Sequence, residues 1–286
     1  MKNIGLMMTY NEEDMIEEVM ESCHKHFDAI FVLDGSSDRT EEIIRSYDNV
    51  QYFIRDQDLF PRRKIYDGAR QFLLEKAQEM YGYEGWFTLL HGDEILVDDP
   101  NEVVKRAEHV GAERVNWHAL NFFLHTSQSA HYDPSKRIQD QVVFYSPGGL
   151  EIRQFKNKKG IHYNLNQISN VLPCGVGWKM LLDFPIFKHY VIRSLRQKMK
   201  KPVGGFGIVR EESTQRLGGN VVFDPSELFV DKLDETYKQV REYKGSFEEF
   251  EPANRPPFLQ QWLNWRKYRE VNWGVLEPLR QKWKNR

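Results

Sequence analysis

The first hundred residues alternate between short apolar runs and longer amphipathic ones. "NIGLMMTY" is apolar from Ile4 until it ends in Thr9, Tyr10 and Asn11, the pattern of a strand buried on both faces. "EEDMIEEVMESCHKH" then places Met15, Val19 and Cys23 on one side of a helix. "AIFVLDG" predicts a second strand, and Ser36, Ser37 and Asp38 offer N-caps for a helix over "RTEEIIRSY". "VQYFIRD" predicts a third strand, "RRKIYDGARQFLLEKAQEMYG" a longer helix and "GWFTLLHGD" a fourth strand. Strand–helix alternation at this spacing predicts an α/β fold with a mostly parallel central sheet and helices on both faces.

Beyond Pro100 the pattern changes. "NEVVKRAEHVG" predicts one more helix, and "RVNWHALNFFLH", "QVVFYSP" and "LEIRQFKN" predict strands of mixed or antiparallel type. "FPIFKHYVIRSLRQKMKK" reads as a helix, and "GGFGIVREESTQRLGGN" as a glycine-rich mobile stretch. No internal repeat and no sharp boundary is visible. The chain therefore divides into one continuous domain over residues 1–219, with halves 1–100 and 101–219, and a helical C-terminal extension over 220–286.

Composition narrows the partners. The 286 residues carry 40 basic and 42 acidic side chains, a net charge of −2, which lacks the basic bias of a nucleic-acid binder. Two cysteines, Cys23 and Cys174, are too few for a disulfide framework and are expected to be reduced thiols. No apolar run approaches the length of a membrane span, and the N-terminus lacks a signal-peptide pattern, so the expected compartment is the cytoplasm. The tail "FLQQWLNWRKYREVNWGVLEPLRQKWKNR" interleaves Trp with Lys and Arg. That mixture suits a helix packed on the main domain, a homo-oligomer or partner contact, or a peripheral membrane surface.

Candidate chemistry concentrates where strands end. In open parallel sheets, ligands bind in the crevice beyond the carboxyl ends of the strands. Asp34 ends the second strand and Asp93 follows the fourth, while Thr9, Tyr10 and Asn11 end the first, so all five are expected to line one crevice. Glu94, Asp98 and Asp99 lie close to Asp93 in sequence. Carboxylates gathered at one edge repel unless a cation compensates, and oxygen ligands suit a hard divalent ion such as Mg2+ or Mn2+.

"TYNEE" after the first strand, "LDGSSDRT" after the second and "HGDE" after the fourth together resemble the GT-A fold glycosyltransferases, in particular glycosyltransferase family 2. The resemblance covers about residues 3–99. It implies a Rossmann-like nucleotide-diphospho-sugar transferase fold, with a nucleotide-binding half before Pro100 and an acceptor half after it. It also implies that Asp34 holds the nucleotide base beside Thr9, Tyr10 and Asn11. Asp93 matches the metal-binding Asp of the DxD motif, and Gly92 lies with it against the donor. His91 is a departure, standing where the motif has its first Asp. It could contact the ribose, ligate the metal through a neutral imidazole, or fill space. "FKHYVIRSLRQKMKK" is similar to a late family segment whose His is the remaining protein ligand of the metal, which implies that role for His189. Arg193 and Lys198 follow at helical spacings and are expected to lean toward a diphosphate. Arg63, in "FPRRK" at a helix start, is a further expected donor contact.

An inverting transfer needs a general base for the acceptor hydroxyl. Candidates are Asp140 in "RIQDQVVF", Glu151 in "GGLEIRQF" and His162 in "KGIHYN", with His162 and Asp140 foremost because "LEIRQFKN…GIH" resembles a family segment on the acceptor face. The implied activity is metal-dependent transfer from a nucleotide-sugar donor, UDP-linked as the commonest choice, to a hydroxyl of a glycan or glycoconjugate. Two rivals stay open: a sugar nucleotidyltransferase, disfavoured by the acidic "TYNEED" where such enzymes carry a basic glycine-rich loop, and a catalytically dead binding domain, motivated by His91.

Overall fold

The computed structural model of the chain describes residues 1–55, 65–124, 133, 135–163, 172–181, 183, 185–192 and 241–247. Arg63, Arg193 and Lys198 lie outside these residues, as does the C-terminal extension apart from 241–247.

The first strand, β1 (Asn3–Thr9), is buried along almost its whole length, and so is β2 (Ala29–Asp34). Between them run α1 (Ile16–Cys23) and a short 3-10 turn (His24–His26). Helix α2 (Thr40–Ile44), β3 (Val50–Ile54), α3 (Ile65–Tyr81) and β4 (Trp86–His91) follow. The four strands are parallel in the order β3-β2-β1-β4. Helices cover both faces, as the continuous apolar runs require. Met15, Ile16, Val19, Met20 and Cys23 of the α1 segment pack against Met7, Ile30 and Val32 on one face. On the other, Ala69, Leu73, Leu74 and Ala77 of α3 pack against Ile4, Leu6, Phe31 and Phe87.

After β4 the sheet continues with mixed direction. The short β5 (Glu94–Leu96) is followed by α4 (Pro100–His109), which starts where expected for chemical reasons. Asp99 caps it, accepting from the Asn101 amide at 2.8 Å, and Pro100 occupies the first turn, where no amide donor is needed. Strand β6 (Arg114–Phe123), the one-turn α5 (Ile138–Gln141) and β7 (Phe144–Lys156) come next, and β7 pairs antiparallel with both β4 and β6. Two strands were expected, over residues 141–147 and 150–157. They are one strand, whose pairing with β6 shifts register between His118 and Leu120, where Pro147 cannot donate to the ladder.

A second correction concerns "FPIFKHYVIRS", expected to be helical. Strand β8 (Met180–Leu181) precedes it, and Ile186–Ile192 form β9. β9 lies between β6, to which it is parallel, and β5, to which it is antiparallel. Backbone pairing on both sides and burial of Ile186, Phe187 and Tyr190 outweigh the helical spacing of His189 and Arg193. Helical geometry therefore gives no argument for Arg193. Residues Arg241–Glu242 form β10 against Tyr145 and Phe144 of β7, and Tyr243 and Phe247 stack beside Phe122, so this late segment belongs to the main core. Among the described residues no helix is long and apolar enough to cross a membrane.

Candidate functional site

The register of the parallel strands brings three chain segments to one edge. Thr9 is paired with Asp34 across β1 and β2, and Met8 with His91 across β1 and β4, so the loops after all three strands leave the sheet side by side. Gly92 is needed at this crossing. A Cβ there would stand 2.7 Å from Cγ of Glu12 and 3.2 Å from Cγ2 of Thr9, so only glycine lets the β4 turn lie against the β1 loop.

Asp34 is 2 % exposed and its carboxylate is enclosed by donors. Thr9 Oγ1 donates to Oδ1 at 2.8 Å, the Ser36 amide and hydroxyl donate to the same oxygen, and the Tyr52 hydroxyl donates to Oδ2 at 2.6 Å. Burial and the Asp34 carboxylate together hold the Tyr52 phenol protonated far above its ordinary range. The loop is locked further by Asn11, which adopts a left-handed φ of 56° that asparagine tolerates better than most residues. Its Oδ1 accepts from the Ser37 amide at 2.8 Å, and its own amide donates to Ser36 Oγ at 2.7 Å. Tyr10, half-buried beside it, has the Arg55 guanidinium 5.2 Å from its ring centroid, and Arg55 in turn lies against Gly35.

The second part of the site is built around Asp93. His91, Asp93 and Glu94 bring ligand-capable atoms within 4.8 Å of one another. His189 arrives from β9, where it is paired with Glu94, and the Tyr190 amide donates to the Asp93 carbonyl at 2.9 Å. These backbone bonds set His189 Nε2 3.9 Å from Asp93 Oδ2. That gap is too long for a hydrogen bond. It does fit two ligands of one divalent ion, whose bonds of about 2.1 Å each span up to about 4.2 Å.

Glu94 is not equivalent to Asp93. Arg153 of β7 is buried, and its Nη2 donates to Glu94 Oε1 at 2.5 Å and to Glu151 Oε2 at 2.7 Å, while its guanidinium stacks 4.6 Å from the Phe187 ring centroid. His91 Nδ1 lies 3.0 Å from Glu94 Oε1 and 3.2 Å from Arg153 Nη1. Burial opposes ionisation of Glu94, but the Arg153 guanidinium, helped by His91 and His189, outweighs it and holds the carboxyl below its usual range. Glu94 is therefore a charged group already matched to a buried cation. Asp93 and His189, 15 % and 28 % exposed at their side chains, keep access to solvent.

Other residues expected here make their described contacts elsewhere. Asp98 accepts from the Ile186 amide at 2.7 Å and anchors the start of β9, and Asp99 caps α4 and lies 3.3 Å from His26. Asp140 is exposed on α5, whose first amides donate to Glu18. His162 is exposed, with Nδ1 3.1 Å from the Gly160 carbonyl and its backbone bridged to Cys174. Neither is joined by a described contact to the Asp93 cluster. Sequence reasoning missed Arg153, Tyr52 and Arg55. The available signal was an arginine inside the apolar alternation of "LEIRQF", which a sheet interior accepts only with an acidic partner.

A comparison with solved structures finds similarity to a mannose-1-phosphate geranyltransferase from Thermus thermophilus, at 14 % identity and a TM-score of 0.28. The match covers 54 % of this chain and 50 % of that one, so the chain spans about half that protein's length. No curated protein matches the chain. A family model described as glycosyl transferase family 2 matches residues 6–191, a span that includes every described residue of the two-part site. The chain belongs to glycosyl transferase family 2.

Proposed function

We propose that the protein is a metal-dependent glycosyltransferase that moves a sugar from a nucleoside-diphosphate donor, with UDP the first choice, to a hydroxyl of a glycan or glycoconjugate, inverting the anomeric carbon. The observation that carries this reading is the convergence of Asp93 and His189, 3.9 Å apart, at the strand edge that also presents Thr9, Tyr10, Asn11 and Asp34. A carboxylate from the turn after β4 and an imidazole from β9 form a donor set suited to Mn2+ or Mg2+, and a bound ion of this kind would neutralise charge developing on the departing diphosphate.

In this reading the residues of the chain divide the remaining work. The Thr9–Asn11 loop, held rigid by Asp34, Ser36 and Ser37, forms the wall for the nucleoside, and Tyr10 offers it an aromatic face. Gly92 keeps that wall close to the Asp93 turn. His91 stands at the junction, and its tautomer decides its role. If Nδ1 donates to Glu94, Nε2 is bare and can ligate. If Nδ1 accepts from Arg153, Nε2 carries a proton and can donate to a ribose or phosphate oxygen. Arg63, Arg193 and Lys198 are further proposed phosphate contacts, and the cytoplasm remains the proposed compartment.

Calorimetric titration of the full chain with UDP, GDP and other nucleoside diphosphates, with and without Mn2+, tests the reading when paired with turnover of the matching sugar donors. Metal-dependent binding of one nucleotide and release of that nucleotide from its sugar conjugate are expected. Binding with no turnover of any donor would point instead to a dead binding domain. Pyrophosphate release from a nucleoside triphosphate would point to a nucleotidyltransferase.

A further inference from the structure

We propose that Glu151 is the catalytic base that takes the proton of the acceptor hydroxyl. The inference rests on the glycosyltransferase reading above and adds to it the residue on the acceptor side.

Three observations converge on this residue. Glu151 and Glu94 accept from the same nitrogen, Arg153 Nη2, at 2.7 and 2.5 Å, so their carboxylate oxygens lie within two hydrogen-bond lengths of each other. Glu94 in turn belongs to the group whose ligand atoms lie within 4.8 Å of His91 and Asp93. Glu151 is thus tied to the metal-ligand turn through one buried guanidinium. Its exposure separates it from its partners. The side chains of Arg153 and Glu94 are 2 % and 4 % exposed and cannot meet a substrate, whereas that of Glu151 is 40 % exposed.

The strand order then fixes which side it serves. Asp34, Thr9 and His91 lie on β2, β1 and β4, and β7 with Glu151 is the next strand on the far side of β4. A donor held by its nucleoside over β1 and β2 and by its diphosphate at Asp93 carries its sugar toward β7. There Arg153 holds Glu151 through Oε2, and no described residue bonds Oε1, the oxygen assigned to the acceptor. In the step, the acceptor O–H proton passes to the Glu151 carboxylate as the acceptor oxygen bonds to the anomeric carbon. The bond from that carbon to the phosphate oxygen breaks, and its electron pair leaves with the nucleoside diphosphate. Arg153 is the positioning residue for this base, not a participant.

The test uses the full-length protein with Mn2+ and a panel of UDP- and GDP-sugars, following nucleoside diphosphate released to acceptor or water, and UDP affinity in parallel. A purely structural Glu151 needs only to accept from Arg153, so Glu151→Gln should then behave as wild type and Glu151→Ala should be impaired. A catalytic base predicts a different split: both variants lose about 10²–10⁴-fold in kcat, while Glu151→Gln, which still accepts from Arg153, keeps wild-type UDP affinity and melting temperature. Wild-type turnover by Glu151→Gln overturns the assignment, as does loss of turnover in Asp140→Asn or His162→Ala with Glu151→Gln unimpaired. A wild-type protein that neither binds UDP with Mn2+ nor turns over any donor overturns the glycosyltransferase reading itself, and the base assignment with it.

Discussion

Asp93 Oδ2 and His189 Nε2 stand 3.9 Å apart, although one follows β4 and the other lies on β9, two strands that do not pair. Their meeting is arranged by backbone bonds: Glu94 is paired with His189, and Tyr190 donates to the Asp93 carbonyl. The two side chains are therefore replaceable without loss of the strand pairing. Asp93→Asn and His189→Ala are each expected to weaken Mn2+-dependent UDP binding at least 10–100-fold, the range typical even for residues one step removed from a metal. Far-UV circular dichroism should be unchanged. Calorimetry with and without Mn2+ is the measurement, and wild-type affinity in both variants would show that neither side chain holds the ion.

The enclosure of Asp34 leads to a different expectation, one of stability. Its carboxylate satisfies the hydroxyls of Thr9, Ser36 and Tyr52 in a buried place. Asp34→Ala leaves these donors without an acceptor and should cost about 3 kcal/mol in urea unfolding, because each buried unsatisfied group costs about 1–3 kcal/mol and water entering the gap recovers part. Tyr52→Phe removes donor and demand together, and should cost about 1–2 kcal/mol. An Asp34→Ala protein as stable as wild type would mean that the carboxylate serves a ligand alone.

Most of the first hundred residues could be read as elements because their burial is two-sided and their apolar runs are unbroken. The strand ends at Thr9, Asp34 and His91 were legible because polar residues follow those runs directly. The β9 segment was not, since Ile186, Phe187 and Tyr190 fit a helix face as readily as a strand, and only partners far away in the chain decide. Arg153 was missed for a related reason. A single arginine in a strand reads as solvent-facing until Glu94 and Glu151, from separate stretches, are placed around it. Choosing Glu151 over Asp140 and His162 likewise required the positions of all three.

The two thiols should differ in reactivity. Burial pushes Cys23 up to about 12, and the side chain is packed between α1 and the sheet, whereas Cys174 is half-buried beside His162. Only thiolate reacts with a disulfide reagent such as 5,5'-dithiobis(2-nitrobenzoate), so one equivalent of thiol is expected in the native protein at pH 8 and two in denaturant. Cys174→Ser should bring the native count to zero. A persistent native equivalent in that variant would show that the α1 face opens readily.

The Arg153–Glu94 pair makes stability depend on acid. Glu94 has a folded-state pKa below the value of about 4.3 expected for an unfolded chain. The folded protein therefore binds the proton less readily than the unfolded one, and the contribution is complete above pH 4.3 and lost as pH falls through the lower, folded value. Urea unfolding at a series of pH values between 7 and 3 should show stability declining on the acid limb. Glu94→Gln should flatten that limb and lower stability at pH 7 by about 3 kcal/mol, at the low end for breaking a buried pair, because Glu151 still faces the guanidinium. Glu94→Gln with Arg153→Met removes both charges and should recover much of the loss, since a buried pair replaced by apolar groups is often neutral. If the double variant is no more stable than Glu94→Gln alone, the cost lies in packing and not in the uncompensated charge of Arg153.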